Sequence, residues 1–223
     1  MEALRRSVAL GYGAVRRMRN LAALVVFAGA AQAEVTIAAL GDSLTQGYGL
    51  PQEDGFVPQM ETWLEDQGLE VELVNAGVSG DTTAGGLARV AWTLTPEVDA
   101  MIVALGGNDF LRGIDPAVSR ANLRGILEAA EEAEVEVLIV GLEASTNYGP
   151  DYKQAFDAMY VELAEEFEVP LFASWFDGII DVSGGAPQDF MQADGIHPNA
   201  AGVAATVEAL GPLVQDLAER AAE

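Results

Sequence analysis

Five short apolar runs, each parted from the next by a longer amphipathic stretch, constrain this chain more than any other feature. The runs are EVTIAAL (34–40), LEVELVN (69–75), VDAMIVAL (98–105), EVLIVGL (136–142) and VPLFASW (169–175). Their length and branched apolar content predict strands. Between them FVPQMETWLEDQG (56–68), TTAGGLARVAWTL (82–94), DPAVSRANLRGILEAAEEA (115–133) and DYKQAFDAMYVELAEEF (151–167) repeat apolar residues at helical spacing. Asp115 followed by Pro116 is a helix start. A last helix over 199–222 is predicted to kink or break at Pro212, whose ring removes a backbone donor. Strands alternating with helices predict an α/β fold, a three-layer sandwich in which a five-stranded parallel sheet carries helices on both faces.

In an open sheet of this kind, ligands bind beyond the carboxyl ends of the strands, where the strand order reverses. The residues just after each run are therefore the informative ones. GDS (41–43) follows the first, AGVSGD (76–81) the second and GGND (106–109) the third, while DGIHP (194–198) lies in the long segment after the fifth. No internal repeat, low-complexity linker or inserted lid domain interrupts the pattern. At 223 residues, half of them hydrophobic, the chain suits one domain with a packed core plus a processed segment.

That segment is the N-terminus. Arg5, Arg6, Arg16, Arg17 and Arg19 precede the apolar run LAALVVFAGA (21–30), and small residues at Ala31 and Ala33 close it. This is the layout of a secretory signal peptide, with cleavage expected after Ala33 and residues 34–223 as the mature domain. A membrane anchor is the other reading, but ten apolar residues are half of the roughly 20 that span a bilayer. A periplasmic or secreted location is therefore expected.

Residues 1–33 hold five of the 11 basic and one of the 35 acidic side chains, so the remainder carries six against 34, formally −28. Such a surface repels nucleic acid and anionic lipid, and it suits salty surroundings that screen its self-repulsion. The chain has no cysteine and a single histidine, His197. Disulfides, a thiol nucleophile and a typical zinc site are thereby excluded, and the acidic run EEAEVE (131–136) reads as a solvated helix end rather than a calcium site.

Taken singly, the polar residues at the strand ends are ambiguous. Ser43 fits a turn or helix cap, Asn108 a turn after two glycines, and His197 a surface or packing position. Functionally, a serine needs a base to take its proton, and the base needs a third group to hold its tautomer. His197 is the sole imidazole, and Asp194 stands three positions earlier in a turn-rich loop. The Asn108 amide and the Gly80 backbone N–H are candidate donors to an oxyanion, with Asp81 as a cap for the following helix.

Together these residues resemble a known family. GDSL at 41–44, Gly80 in NAGVSGDTT, Asn108 in LGGND and DGIHPN at 194–199 are similar, in order, to the four blocks of the SGNH or GDSL hydrolases. GLAR (86–89), LGGNDFLRG (105–113), NYGPDYKQAF (147–156) and LAEEFEVPL (163–171) resemble its bacterial periplasmic branch of multifunctional thioesterases, lysophospholipases and arylesterases. The resemblance implies a flavodoxin-like sandwich. It implies Ser43 as nucleophile, His197 as general base and then acid, and Asp194 as its orienting partner. The oxyanion hole would comprise the Ser43 and Gly80 backbone N–H groups and the Asn108 side chain. The implied reaction is hydrolysis of a small-molecule carboxylic ester of short to medium acyl length through an acyl-serine, with thioesters and lysophospholipids as further substrates and no cofactor or metal. Asn147, Tyr148 and Gly149, in the loop 142–153, are candidate substrate-binding residues, while Glu143, Ala144 and Ser145 replace the more apolar residues of relatives. The implied partners exclude nucleic acid and stable membrane insertion after signal cleavage, and a monomer is compatible with the reading. Two alternatives stay open: a carbohydrate acetylesterase with the same blocks, and a flavodoxin-like binding module whose GDSLTQG turn cradles phosphate at a helix N-terminus.

Overall fold

The computed structural model describes residues 35–184 and 187–223. The expected signal peptide and its cleavage site lie outside the described residues. Five parallel strands, β1 (Val35–Gly41), β2 (Val71–Gly77), β3 (Ala100–Ala104), β4 (Glu136–Val140) and β5 (Leu171–Phe172), pair in the order β2-β1-β3-β4-β5. The five longer helices are α2 (Phe56–Asp66), α3 (Thr83–Thr93), α5 (Pro116–Glu132), α6 (Pro150–Phe167) and α8 (Ala200–Ala221). Three short ones, α1 (Ser43–Gln46), α4 (Gly107–Leu111) and α7 (Asp177–Ser183), follow strands and loops.

Side-chain alternation along the central strands builds two cores. Ile37 and Ala39 of β1 and Ala100, Ile102 and Ala104 of β3 face α2 and α8, where Phe56, Met60, Leu210 and Val214 close the layer. Leu40, Met101 and Val103 point to the opposite face, against Ile126 of α5 and Phe156, Met159 and Leu163 of α6. A strand buried on both faces has no polar side, which is why β1 and β3 read as unbroken apolar runs. At the sheet edge β2 buries only Leu73, and it alternates accordingly.

Two expectations are corrected. The fifth strand, predicted over 169–175, shrinks to two residues. Beyond Phe172 the chain leaves the sheet so that Trp175 can enter the core and pack against Phe56, with ring centroids 4.8 Å apart. Pro212 does not break the last helix, which is continuous from Ala200 to Ala221. Pro212 and Glu208 both lie on the exposed face, so water can take the carbonyl that the ring leaves without its helical donor.

Candidate active site

The strand order reverses between β1 and β3, and it is at their carboxyl ends that the polar blocks gather. Ser43 opens α1 immediately beyond β1. Its predecessor Asp42 caps this one-turn helix by accepting from the Leu44 N–H at 3.0 Å, and Gly47, in the left-handed region, ends it. The turn sits tightly on the strand: a Cβ at Gly41 would lie 1.9 Å from Thr45 Oγ1. Glycine at 41 therefore lets the chain double back and raise the serine above the sheet.

His197 reaches Ser43 across 154 positions of sequence, with Nε2 2.9 Å from Oγ. Its Nδ1 lies 2.7 Å from Asp194 Oδ2. The other Asp194 oxygen accepts from the Ile196 and His197 backbone N–H groups at 2.9 and 3.0 Å. Hydrogen bonding from the imidazole, with help from these two amides, lowers the Asp194 pKa to about 2. A permanent carboxylate on Nδ1 selects the tautomer whose Nε2 accepts the serine proton.

Two further groups complete the arrangement. Gly80 occupies φ +83°, a conformation that side chains rarely adopt, and its carbonyl accepts from Arg112 at 2.7 Å. The N–H groups of Ser43 and Gly80 donate to no other group among the described residues, which leaves both for a ligand oxygen. Asn108, in the first turn of α4, donates from Nδ2 to Asp42 Oδ2 at 3.1 Å. One amide hydrogen is thus used to fix the side chain, and the second is available to a ligand.

Sequence reasoning missed three supporting residues. Asp42 is buried, and that burial raises its pKa against the opposing hydrogen bonds from Leu44 and Asn108. The fully buried Asp109 accepts from the Thr83 N–H (2.8 Å), the Thr83 hydroxyl (2.6 Å) and the Ser119 hydroxyl (2.8 Å), tying α4 to α3 and α5. Arg89 spans the strand ends, donating to Asp81 (2.7 Å), the Ala76 carbonyl (2.7 Å) and the Gly41 carbonyl (2.8 Å). Asp81 is consequently an ion-pair partner and not the helix cap expected of it; Thr82 caps α3 by accepting from the Gly85 N–H.

A cleft of about 940 Å³ opens over Ser43, Gly80, Asn108 and His197, with Phe110, Leu142, Phe176, Ile180 and Met191 among its walls. Glu143 also borders it. Asn147, Tyr148 and Gly149 stand outside this lining; Tyr148 packs edge-on against Phe110 and donates to the Leu111 carbonyl at 3.3 Å, behind the wall. No cluster of three or more His, Asp or Glu side chains suited to a metal ion occurs among the described residues. None of the described helices is long and apolar enough to cross a membrane.

Comparison with known proteins agrees with this geometry. The model of the GDSL-like lipase/acylhydrolase family matches residues 39–205. Esterase TesA of Pseudomonas aeruginosa is 38% identical over 196 residues, 87% of this chain and 94% of the relative. Thioesterase 1/protease 1/lysophospholipase L1 of Escherichia coli K12 is 36% identical over 178 residues, covering 79% and 81%. Among solved structures the SGNH-hydrolase family esterase AlinE4 superposes with a TM-score of 0.68 at 39% identity, covering 82% of this chain and 96% of its own. From the strand-end blocks, the sheet order and these matches, the chain belongs to the GDSL-like lipase/acylhydrolase family, the SGNH hydrolases.

Proposed function

We propose that this protein is a serine ester hydrolase that cleaves carboxylic esters, and thioesters by the same route, through an acyl-Ser43 intermediate. The observation that carries the reading is the unbroken hydrogen-bond chain from Ser43 Oγ through His197 to Asp194 at the floor of an apolar cleft. As Oγ attacks the ester carbonyl, its proton passes to His197 Nε2, and the positive charge that develops on the ring faces Asp194. The carbonyl oxygen becomes an oxyanion, which the Ser43 and Gly80 N–H groups and the second Asn108 hydrogen receive. The C–O bond then breaks and the alcohol leaves with the proton from His197. Water repeats the sequence on the acyl-enzyme, giving its proton to His197 and releasing the acid as Oγ takes that proton back.

The apolar walls favour acyl chains longer than acetyl, which argues for short to medium esters and lysophospholipids over sugar deacetylation. Tyr148 contributes to binding indirectly, by buttressing the Phe110 and Leu111 wall, with Asn147 and Gly149 flanking it in the same loop. The arginine-rich start and ten-residue apolar run support export and removal of residues 1–33, with action in the periplasm or outside the cell. Nitrophenyl esters of graded acyl length, run beside Ser43→Ala and a fluorophosphonate label, test the assignment. Turnover and labelling should both vanish in a folded Ser43→Ala protein, whereas retained labelling refutes the nucleophile and activity confined to acetyl refutes the substrate class.

A further inference from the structure

The serine and its base stand 154 positions apart in the chain, so something other than their own hydrogen bond must hold the two loops at a working distance. Asp194 cannot do so. It grips His197 from within the same loop and moves with it. One side chain does bridge the gap. Gln192 Nε2 donates to the Tyr48 carbonyl at 2.8 Å and to the Pro198 carbonyl at 2.9 Å. Tyr48 lies just past the helix that starts with Ser43, and Pro198 adjoins His197.

The backbone of Gln192 belongs to the same clasp. Its N–H donates to the His197 carbonyl at 2.8 Å, and its carbonyl accepts from the Gly195 N–H at 3.0 Å, so the residue closes the base of the loop that carries Asp194 and His197. The orientation of the amide is fixed by chemistry, since both partners of Nε2 are carbonyl oxygens and a reversed amide would set oxygen against oxygen. The opposing turn has a matching shape. A Cβ at Gly49 would stand 2.3 Å from Gln192 Oε1, so glycine there gives the amide its seat. The Tyr48 ring lies 4.6 Å from the imidazole, making the same turn a wall for the base.

We propose that Gln192 is a positioning residue for the reaction: its carboxamide clamps the His197 loop to the Ser43 turn and sets the Oγ to Nε2 separation. This rests on the Ser43–His197 assignment above. A displacement of about 1 Å at a reacting pair can cost 10²-fold in rate; Gln192 and Tyr48 border the cleft themselves, but the clamp bonds only the Tyr48 and Pro198 carbonyls and engages none of the apolar walls Phe110, Leu142, Phe176 and Ile180.

The test uses Gln192→Met, which keeps the volume and loses both donors, and Gln192→Glu, which sets a carboxylate against the two carbonyls. In each, kcat should fall by about 10- to 100-fold with KM within twofold of the parent, counted per site labelled by fluorophosphonate. The single histidine supplies a second readout by ¹⁵N NMR: the Nδ1 resonance paired to Asp194 should persist while the Nε2 environment changes. A kcat within twofold of the parent in either folded variant overturns the clamp, as does a matching rise in KM, or loss of the Nδ1 signature together with the Nε2 change. A variant that does not fold leaves the other to decide; if neither folds, Gln192 holds the structure and the positioning role is refuted. Failure of the Ser43 reading itself would show differently, as parent enzyme that takes no label at Ser43.

Discussion

Replacing Asn108 by alanine should impair rate and stability through two different hydrogens of one amide. In the proposed mechanism the free hydrogen serves the oxyanion, and removing a donor of that kind costs about 10²- to 10³-fold in kcat. The other hydrogen serves Asp42, a carboxylate only 2% exposed that keeps Leu44 N–H as its remaining partner. A hydrogen bond to a buried charge contributes about 1.5–3 kcal/mol, and a domain of this size loses roughly 2–4 °C of Tm per kcal/mol, so the melt should drop by about 3–12 °C. The loss should also depend on pH in a definite sense. Burial raises the pKa of Asp42 in the folded chain, so the folded state holds a proton that the unfolded chain has released, and stability falls as pH rises through that window. The Asn108 amide opposes this shift, and without it the folded pKa climbs further. The Tm difference between variant and parent should therefore grow as pH rises above the ordinary carboxylate range, being larger at pH 7 than at pH 4. Calorimetric melts at both pH values, with nitrophenyl ester kinetics at mildly alkaline pH, measure the two effects separately. A kcat within threefold of the parent would remove Asn108 from the oxyanion site, and an equal Tm loss at both pH values would mean that Asp42 is not the group it supports.

Because the Asp194 pKa is lowered to about 2, its carboxylate should take up no proton above pH 3; a titration of the Asp194 carboxyl above pH 3, read from its ¹³C shift, would contradict this. The same lowered pKa means that the stability contributed by the Asp194 carboxylate is fully present above the ordinary carboxylate range and lost only as pH falls toward 2. Arg89→Met should destabilise by about 2–4 kcal/mol, since it strands the Gly41 and Ala76 carbonyls and the partly buried Asp81; a denaturant midpoint unchanged from the parent would refute the tie. With a formal charge of −28 on residues 34–223, NaCl should raise the Tm as the screening length shrinks from about 10 Å at 0.1 M to about 3 Å at 1 M, and a flat or falling curve would count against self-repulsion.

The amino-acid sequence alone determined the alternation of strands and helices and the positions of the polar blocks, three at strand ends and DGIHP in the loop before the last helix, because hydrophobic period and glycine-rich turn chemistry are properties of neighbouring residues. It also set the acidic surface and the absence of thiols. The short helices α1, α4 and α7, of four, five and seven residues, span too few turns to leave a periodic trace. Tertiary structure decided which strands are neighbours, and with β1 beside β3 it brought Asp42 to Asn108 across 66 positions. It decided that Asp109 would anchor α4 through Thr83, that Asp81 would serve Arg89, that residues 147–149 would stand behind the cleft wall, and that Gln192 would reach Tyr48 across 144 positions. All of these contacts but the Asp81–Arg89 pair, eight positions apart, join segments remote in the chain. Which of them meet is set by how the apolar faces of whole strands and helices pack, a sum that no local stretch of residues contains.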